Sequence, residues 1–134
     1  HRMDDLFART DEAVAMAAMY TANHLAVQAI VALTESGSTA LWMSRIRSGI
    51  PIFALTSHVT TRRRVALYRG VYPVAFDSGD SSPEVAFGGA CRALMERELV
   101  SVGDTVIFTE GMKMGVAGGT NTMKILSVID TEAS

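Results

Sequence analysis

The strongest constraint in this sequence is an alternation: short runs of consecutive apolar residues take turns with segments of helical spacing. Ala29-Ile30-Val31-Ala32-Leu33 shows no polar alternation, as expected of a strand buried on both faces of a sheet. Pro51–Leu55, Val71–Phe76 and Asp104–Thr109 predict three further strands, and Thr122–Ile129 a last one. The predicted helices are Asp11–Leu25, capped by Thr10; Ala40–Arg47; Thr60–Arg69, ended by Gly70; and a segment from Ser82-Pro83 to about Leu99. The order α-β-α-β-α-β-α-β-β implies an α/β fold, a three-layer α/β/α sandwich with a mostly parallel five-stranded sheet. The final two strands have only a ten-residue loop between them, Glu110–Gly119, so the fifth strand is expected to be antiparallel. Pro73 cannot donate to a ladder and puts the third strand at an edge. The simplest spatial order is then 3-2-1-4-5. Residues 1–9 read as a lead-in and Thr131–Ser134 as a tail of one domain spanning 1–134.

With 134 residues, 49% hydrophobic and 19% charged, the chain can bury a real core. A formal charge of −2 supplies no basic field for nucleic acid. A single cysteine, Cys91, cannot form an internal disulfide and suits a reducing cytoplasm. The apolar stretch Ala13–Leu33 is interrupted by Asn23, His24 and Gln28, which fits a buried helix running into a strand rather than a membrane span. The chain opens on histidine, as expected of a start inside a longer chain or behind a tag remnant.

In an open α/β sheet, ligands gather at the carboxyl ends of strands where the winding reverses. In the order 3-2-1-4-5 that point lies between strands 1 and 4. The loops leaving them, Thr34–Thr39 and Glu110–Gly119, are rich in hydroxyls and glycine. Thr34, Ser36, Ser38 and Thr39 offer hydroxyl donors, Gly37 lets backbone amides approach an anion, and the following helix points its positive end there. The alternative is an ordinary βα turn with a Ser/Thr helix cap. No lysine follows the glycine, so this is not a Walker A loop. The glycine-rich loop suits a flap, with Lys113 as an anion contact, or else a floppy hairpin. Arg62-Arg63-Arg64 reads as a solvated face or an interface, Cys91 as a small core residue and Trp42 as packing or an interface anchor. No paired carboxylates, triad order or metal spacing equips the chain for catalysis.

Five segments in order and spacing carry a resemblance: Ala29–Gly37, Pro51–Thr56, Leu67–Val74, Gly103–Ile107 and Gly118–Lys124. Together they resemble the carboxy-terminal regulatory domain of pyruvate kinases, closer to the bacterial forms. The resemblance implies a parent enzyme that transfers phosphate from phosphoenolpyruvate to ADP, using Mg²⁺ and K⁺, on an upstream TIM barrel. It implies no cofactor in this domain, a cytoplasmic homotetramer, and packing against the catalytic domain of the same chain. It assigns Thr34, Ser36, Gly37, Ser38 and Thr39 to the phosphate of an allosteric effector. Lys113, Met114, Gly115, Gly118 and Gly119 fall in the loop that folds over that effector. Relatives regulated by fructose 1,6-bisphosphate often carry a basic residue at the position of Glu35, and many relatives carry one at Ser38. They also use a Trp and an Arg near the fourth helix, where this chain has no Trp and has Glu84. A sugar monophosphate or AMP is therefore expected over a bisphosphate. Two alternatives remain: a purely structural oligomerisation module with a vestigial site, and a small stand-alone enzyme on a phosphorylated metabolite.

Overall fold

The computed structural model describes residues 2–111 and 120–130. Its elements are α1 (Arg2–His24), β1 (Ala29–Leu33), α2 (Ser38–Ser44), β2 (Ile52–Thr56), α3 (Val59–Val65), β3 (Val71–Ala75), α4 (Pro83–Glu96), β4 (Thr105–Glu110) and β5 (Thr122–Ser127). The sheet runs β3-β2-β1-β4-β5, as the sequence predicts. All neighbours are parallel except β4 and β5. Pro73 lies on edge strand β3, where the missing N–H is harmless.

Strand periodicity divides the core in two. Ile30, Ala32, Ile52, Ala54 and Ile107 join Ala15, Ala18, Met19 and Ala22 of α1, Ala40 and Met43 of α2, and Val65 of α3. The alternate residues Val31, Phe53, Leu55, Val106 and Phe108 pack with Phe87, Ala90, Cys91 and Leu94 of α4. A strand that feeds a core on each side has no polar face, which is why β1 reads as an unbroken apolar run. Burial pushes the Cys91 thiol up, in keeping with a core residue.

Helix boundaries depart from the sequence reading. α1 begins at Arg2, so the expected lead-in is helical and Thr10 lies inside the helix instead of capping it. No glycine or proline interrupts residues 2–10, and a hydroxyl caps only where the preceding chain is not helical. α3 stops at Val65, short of Arg69, because its last turn tightens: Leu67 N–H bonds the Arg64 carbonyl and Tyr68 N–H the Val65 carbonyl. Ser82 caps α4 as expected, its hydroxyl accepting from Val85 N–H at 3.3 Å with Pro83 behind it.

Candidate functional site

β1 and β4 lie side by side, and their last registered pair is Ala32 with Thr109. The chain leaves β1 toward α2 on one face of the sheet, while α4, on the other face, feeds β4. The winding reverses here, so β1 and β4 end side by side at one mouth of the sheet.

The first loop is fixed from α3. Thr61 Oγ1 donates to the Glu35 carbonyl at 2.6 Å, and Arg64 Nη1 donates to the Ser36 carbonyl at 2.8 Å. In a trans peptide the N–H points opposite to the C=O, so the Ser36 and Gly37 amides face away from α3. Gly37 N–H donates to Thr34 Oγ1 at 2.9 Å, and Ser38 N–H makes a longer contact, 3.3 Å, with Ser36 Oγ. Among the described residues Ser36 N–H meets no acceptor. The Gly37 and Ser38 amides are thus held by the loop's own hydroxyls, while the Thr34 N–H is held by the Leu55 carbonyl at 3.1 Å. Gly37 has φ 84, and a Cβ there would stand 2.7 Å from Val65 Cγ1. Only glycine permits both the left-handed turn and the close approach to α3.

Thr34, Ser36, Gly37 and Ser38 are brought together at the mouth. Thr39 is turned into the core, 1% exposed, and donates to Thr120 Oγ1 at 2.6 Å. That bond ties the first turn of α2 to the residue before Asn121 and β5, one residue beyond the predicted Glu110–Gly119 loop. Lys113, Met114, Gly115, Gly118 and Gly119 lie outside the described residues.

Three charged residues complete the surroundings; sequence reasoning put Glu110 at the start of the second loop but gave Asp11 and Arg64 no place here. Asp11 Oδ2 accepts from Ser38 Oγ at 3.3 Å. Burial pushes the Asp11 carboxyl up, and the Ser38 hydroxyl holds it partly down. Arg64 is exposed, as a solvated face requires, and also clamps the loop, and Arg62 Nη1 holds the Thr56 carbonyl at 3.0 Å. Glu110 is buried at the end of β4 on the α4 face. Burial raises its carboxyl, Lys124 opposes the shift and Glu84 adds to it.

The Glu110 shift has a consequence for stability. The folded carboxyl binds its proton more tightly than the unfolded one, which titrates at the ordinary 4.5. In the window above that value the native state holds the extra proton, so this group's contribution falls as pH rises through it. Glu110→Gln is expected to flatten that fall and to raise the melting temperature at neutral pH by a few degrees. A pH series of thermal melts checks this; a lower melting temperature at neutral pH would mean that the carboxylate is favourably paired.

Residues 12–126 match the family model described as "Pyruvate kinase, alpha/beta domain". The chain belongs to the pyruvate kinase family, as its C-terminal α/β domain. It is 50% identical over 129 residues to "Pyruvate kinase II" of Salmonella typhimurium, covering 96% of this chain and 27% of that protein. To the "Pyruvate kinase" of Buchnera aphidicola subsp. Baizongia pistaciae it is 48% identical over the same length and the same shares. The crystal structure of a Cryptosporidium parvum pyruvate kinase superposes with a TM-score of 0.75 at 28% identity, over 90% of this chain and 23% of that one. The chain therefore spans about a quarter of these pyruvate kinases. Among the described residues of this pyruvate kinase domain, no group of three or more His, Cys, Asp or Glu could hold a metal ion. No described helix is long and apolar enough to cross a membrane.

Proposed function

We propose that this domain is the regulatory part of a cytoplasmic pyruvate kinase and binds the single phosphate of a small effector at Thr34, Ser36, Gly37 and Ser38. The observation that carries this reading is the clamp from α3: with the Glu35 and Ser36 carbonyls held by Thr61 and Arg64, the following amides face away from α3, and the Ser36 N–H meets no acceptor among the described residues. Phosphoryl transfer from phosphoenolpyruvate to ADP, with its Mg²⁺ and K⁺, is assigned to the rest of the whole enzyme. Lys113, Met114, Gly115, Gly118 and Gly119 are assigned to the flap that closes over the effector. A sugar monophosphate or AMP is favoured over fructose 1,6-bisphosphate. On the α4 side, exposed Glu84 and buried Glu110 lie close enough for Glu84 to raise the Glu110 carboxyl, and a second phosphate would meet both. The effector shifts activity only by binding one arrangement of the enzyme better than the other.

The test is thermal denaturation with glucose 6-phosphate, ribose 5-phosphate, AMP and fructose 1,6-bisphosphate. A ligand at about 100 times its Kd adds about 2.7 kcal/mol to the native state. A shift is expected with at least one monophosphate, and Ser36→Asp is expected to abolish it by placing a carboxylate at the phosphate position. A shift that survives in Ser36→Asp moves the site elsewhere.

A second reading, assembly of a homotetramer, rests on exposed apolar side chains. Met16 and Tyr20 of α1 are 52% and 67% exposed, and Ile125 on edge strand β5 is 47% exposed. α1 packs beside β5, so these side chains suit contact with another subunit. Absence of any thermal shift with the four ligands would favour this reading alone.

A further inference from the structure

Within the socket the hydroxyl protons run in one direction. Ser36 Oγ donates to Ser38 Oγ at 3.2 Å, and Ser38 Oγ donates onward to Asp11 Oδ2 at 3.3 Å. Asp11 belongs to α1, 27 residues away in sequence, so its carboxylate is brought there by the packing of α1 beside α2. A serine hydroxyl has one proton to donate. While Ser38 serves Asp11 it cannot serve a phosphate, and the relay draws the Ser36 proton the same way. A bound phosphate and Asp11 are therefore rivals for the same donors, and both carry negative charge.

We infer that Asp11 is an affinity-setting residue of the socket, an internal anion that competes with the effector phosphate for the Ser36–Ser38 hydroxyl pair. The inference rests on the phosphate reading proposed above and extends it to regulation. Arg64, from α3, is the cation that touches the loop among the described residues, and its Nη1 is engaged by the Ser36 carbonyl. Glu35 is exposed on the same loop. Among the described residues the socket thus offers one partly committed positive charge against two carboxylates. That balance admits a phosphate only at reduced affinity. Displacing the Ser38 proton also leaves the half-buried Asp11 carboxylate without its donor, so phosphate binding pushes on α1. α1 is the element through which occupancy of the socket can be felt at a distance, because its other side presents Met16 and Tyr20 to the surroundings.

The experiment is calorimetric titration of the intact protein with glucose 6-phosphate and, separately, with inorganic phosphate. Asp11→Asn keeps the shape of the side chain and removes its charge, and is expected to lower the Kd for both probes about tenfold. Asp11→Ala, which removes charge and acceptor together, is expected to move the Kd in the same direction, so the result does not depend on one variant folding well. Glu12→Gln, exposed on the same helix, makes the same change in net charge away from Ser38 and is expected to leave the Kd unchanged. If the unsubstituted protein binds and the Asp11 variants bind equally or more weakly, the inference fails and the phosphate socket stands. An equal gain with Glu12→Gln also overturns it, since general charge would then suffice. If none of the proteins binds either probe, the socket reading falls and this inference falls with it.

Discussion

Gly37→Ala is expected to destabilise the domain by about 2–5 kcal/mol, far more than an exposed glycine substitution. Two independent costs combine. The left-handed conformation, φ 84, costs an L-residue roughly 1–2 kcal/mol. The new methyl would also stand 2.7 Å from Val65 Cγ1 and 3.3 Å from Thr61 Cγ2. Overpacking a filled site costs about 1–3 kcal/mol, and relief here means shifting α3 away from the loop. Gly103→Ala separates the two terms. Gly103 has φ 93 but nothing within 4 Å of a built Cβ, so only the conformational part, about 1–2 kcal/mol, is expected there. Urea denaturation of both variants measures the difference. Because Thr61 and Arg64 hold the Glu35 and Ser36 carbonyls, a shifted α3 also turns the loop amides. Gly37→Ala is therefore expected to lose glucose 6-phosphate binding as well as stability. Equal losses in the two glycine variants would show that the contact with α3 relaxes freely.

The sheet was legible because each strand leaves its own mark. β1 and β2 feed two cores and read as unbroken apolar runs, Pro73 names an edge, and a helix-free connection names the antiparallel pair. Helix ends were less legible. Thr10 looks like a cap in isolation, and only the helical residues ahead of it remove that role. The position of the socket followed from strand order, and its hydroxyl and glycine content from the loop itself. Which hydroxyl faces the mouth did not, since Thr39 and Ser38 are adjacent and only the packing of α2 sends one inward to Thr120. Asp11 and Arg64 carried no local signal. An acid in a helix and an arginine in a basic run are usually solvated, and their place at the loop is set by contacts across 27 and 28 residues of chain. Glu110 follows an apolar strand and reads as the first polar residue of a loop, whereas the ladder with β5 continues through it to Thr122.

Phe108→Ala is expected to produce the largest loss of stability in the domain, about 3–5 kcal/mol. Phe108 is 1% exposed in the middle of β4 and meets Phe87 of α4 edge-on, with ring centroids 5.1 Å apart. Its neighbours on that face, Val31, Val106 and Leu94, belong to strands and a helix that cannot close on the vacated volume without moving the sheet. The aromatic pair adds about 0.5–1.5 kcal/mol beyond the area buried, so Phe108→Leu, which keeps most of the volume, should recover much but not all of the loss. What separates this variant from Gly37→Ala is the side of the sheet on which the damage falls. Phe108 faces α4, whereas Asp11, Ser38 and Val65 stand with α1, α2 and α3 on the opposite face. The folded fraction of Phe108→Ala is therefore expected to bind glucose 6-phosphate with an unchanged Kd, and saturating ligand should restore part of the lost stability by mass action. Urea curves with and without ligand read both quantities. A stability loss below about 1 kcal/mol would mean that the α4 face repacks freely, and a weakened Kd would mean that the two faces of the sheet are coupled through β4 to the mouth at Thr109 and Glu110.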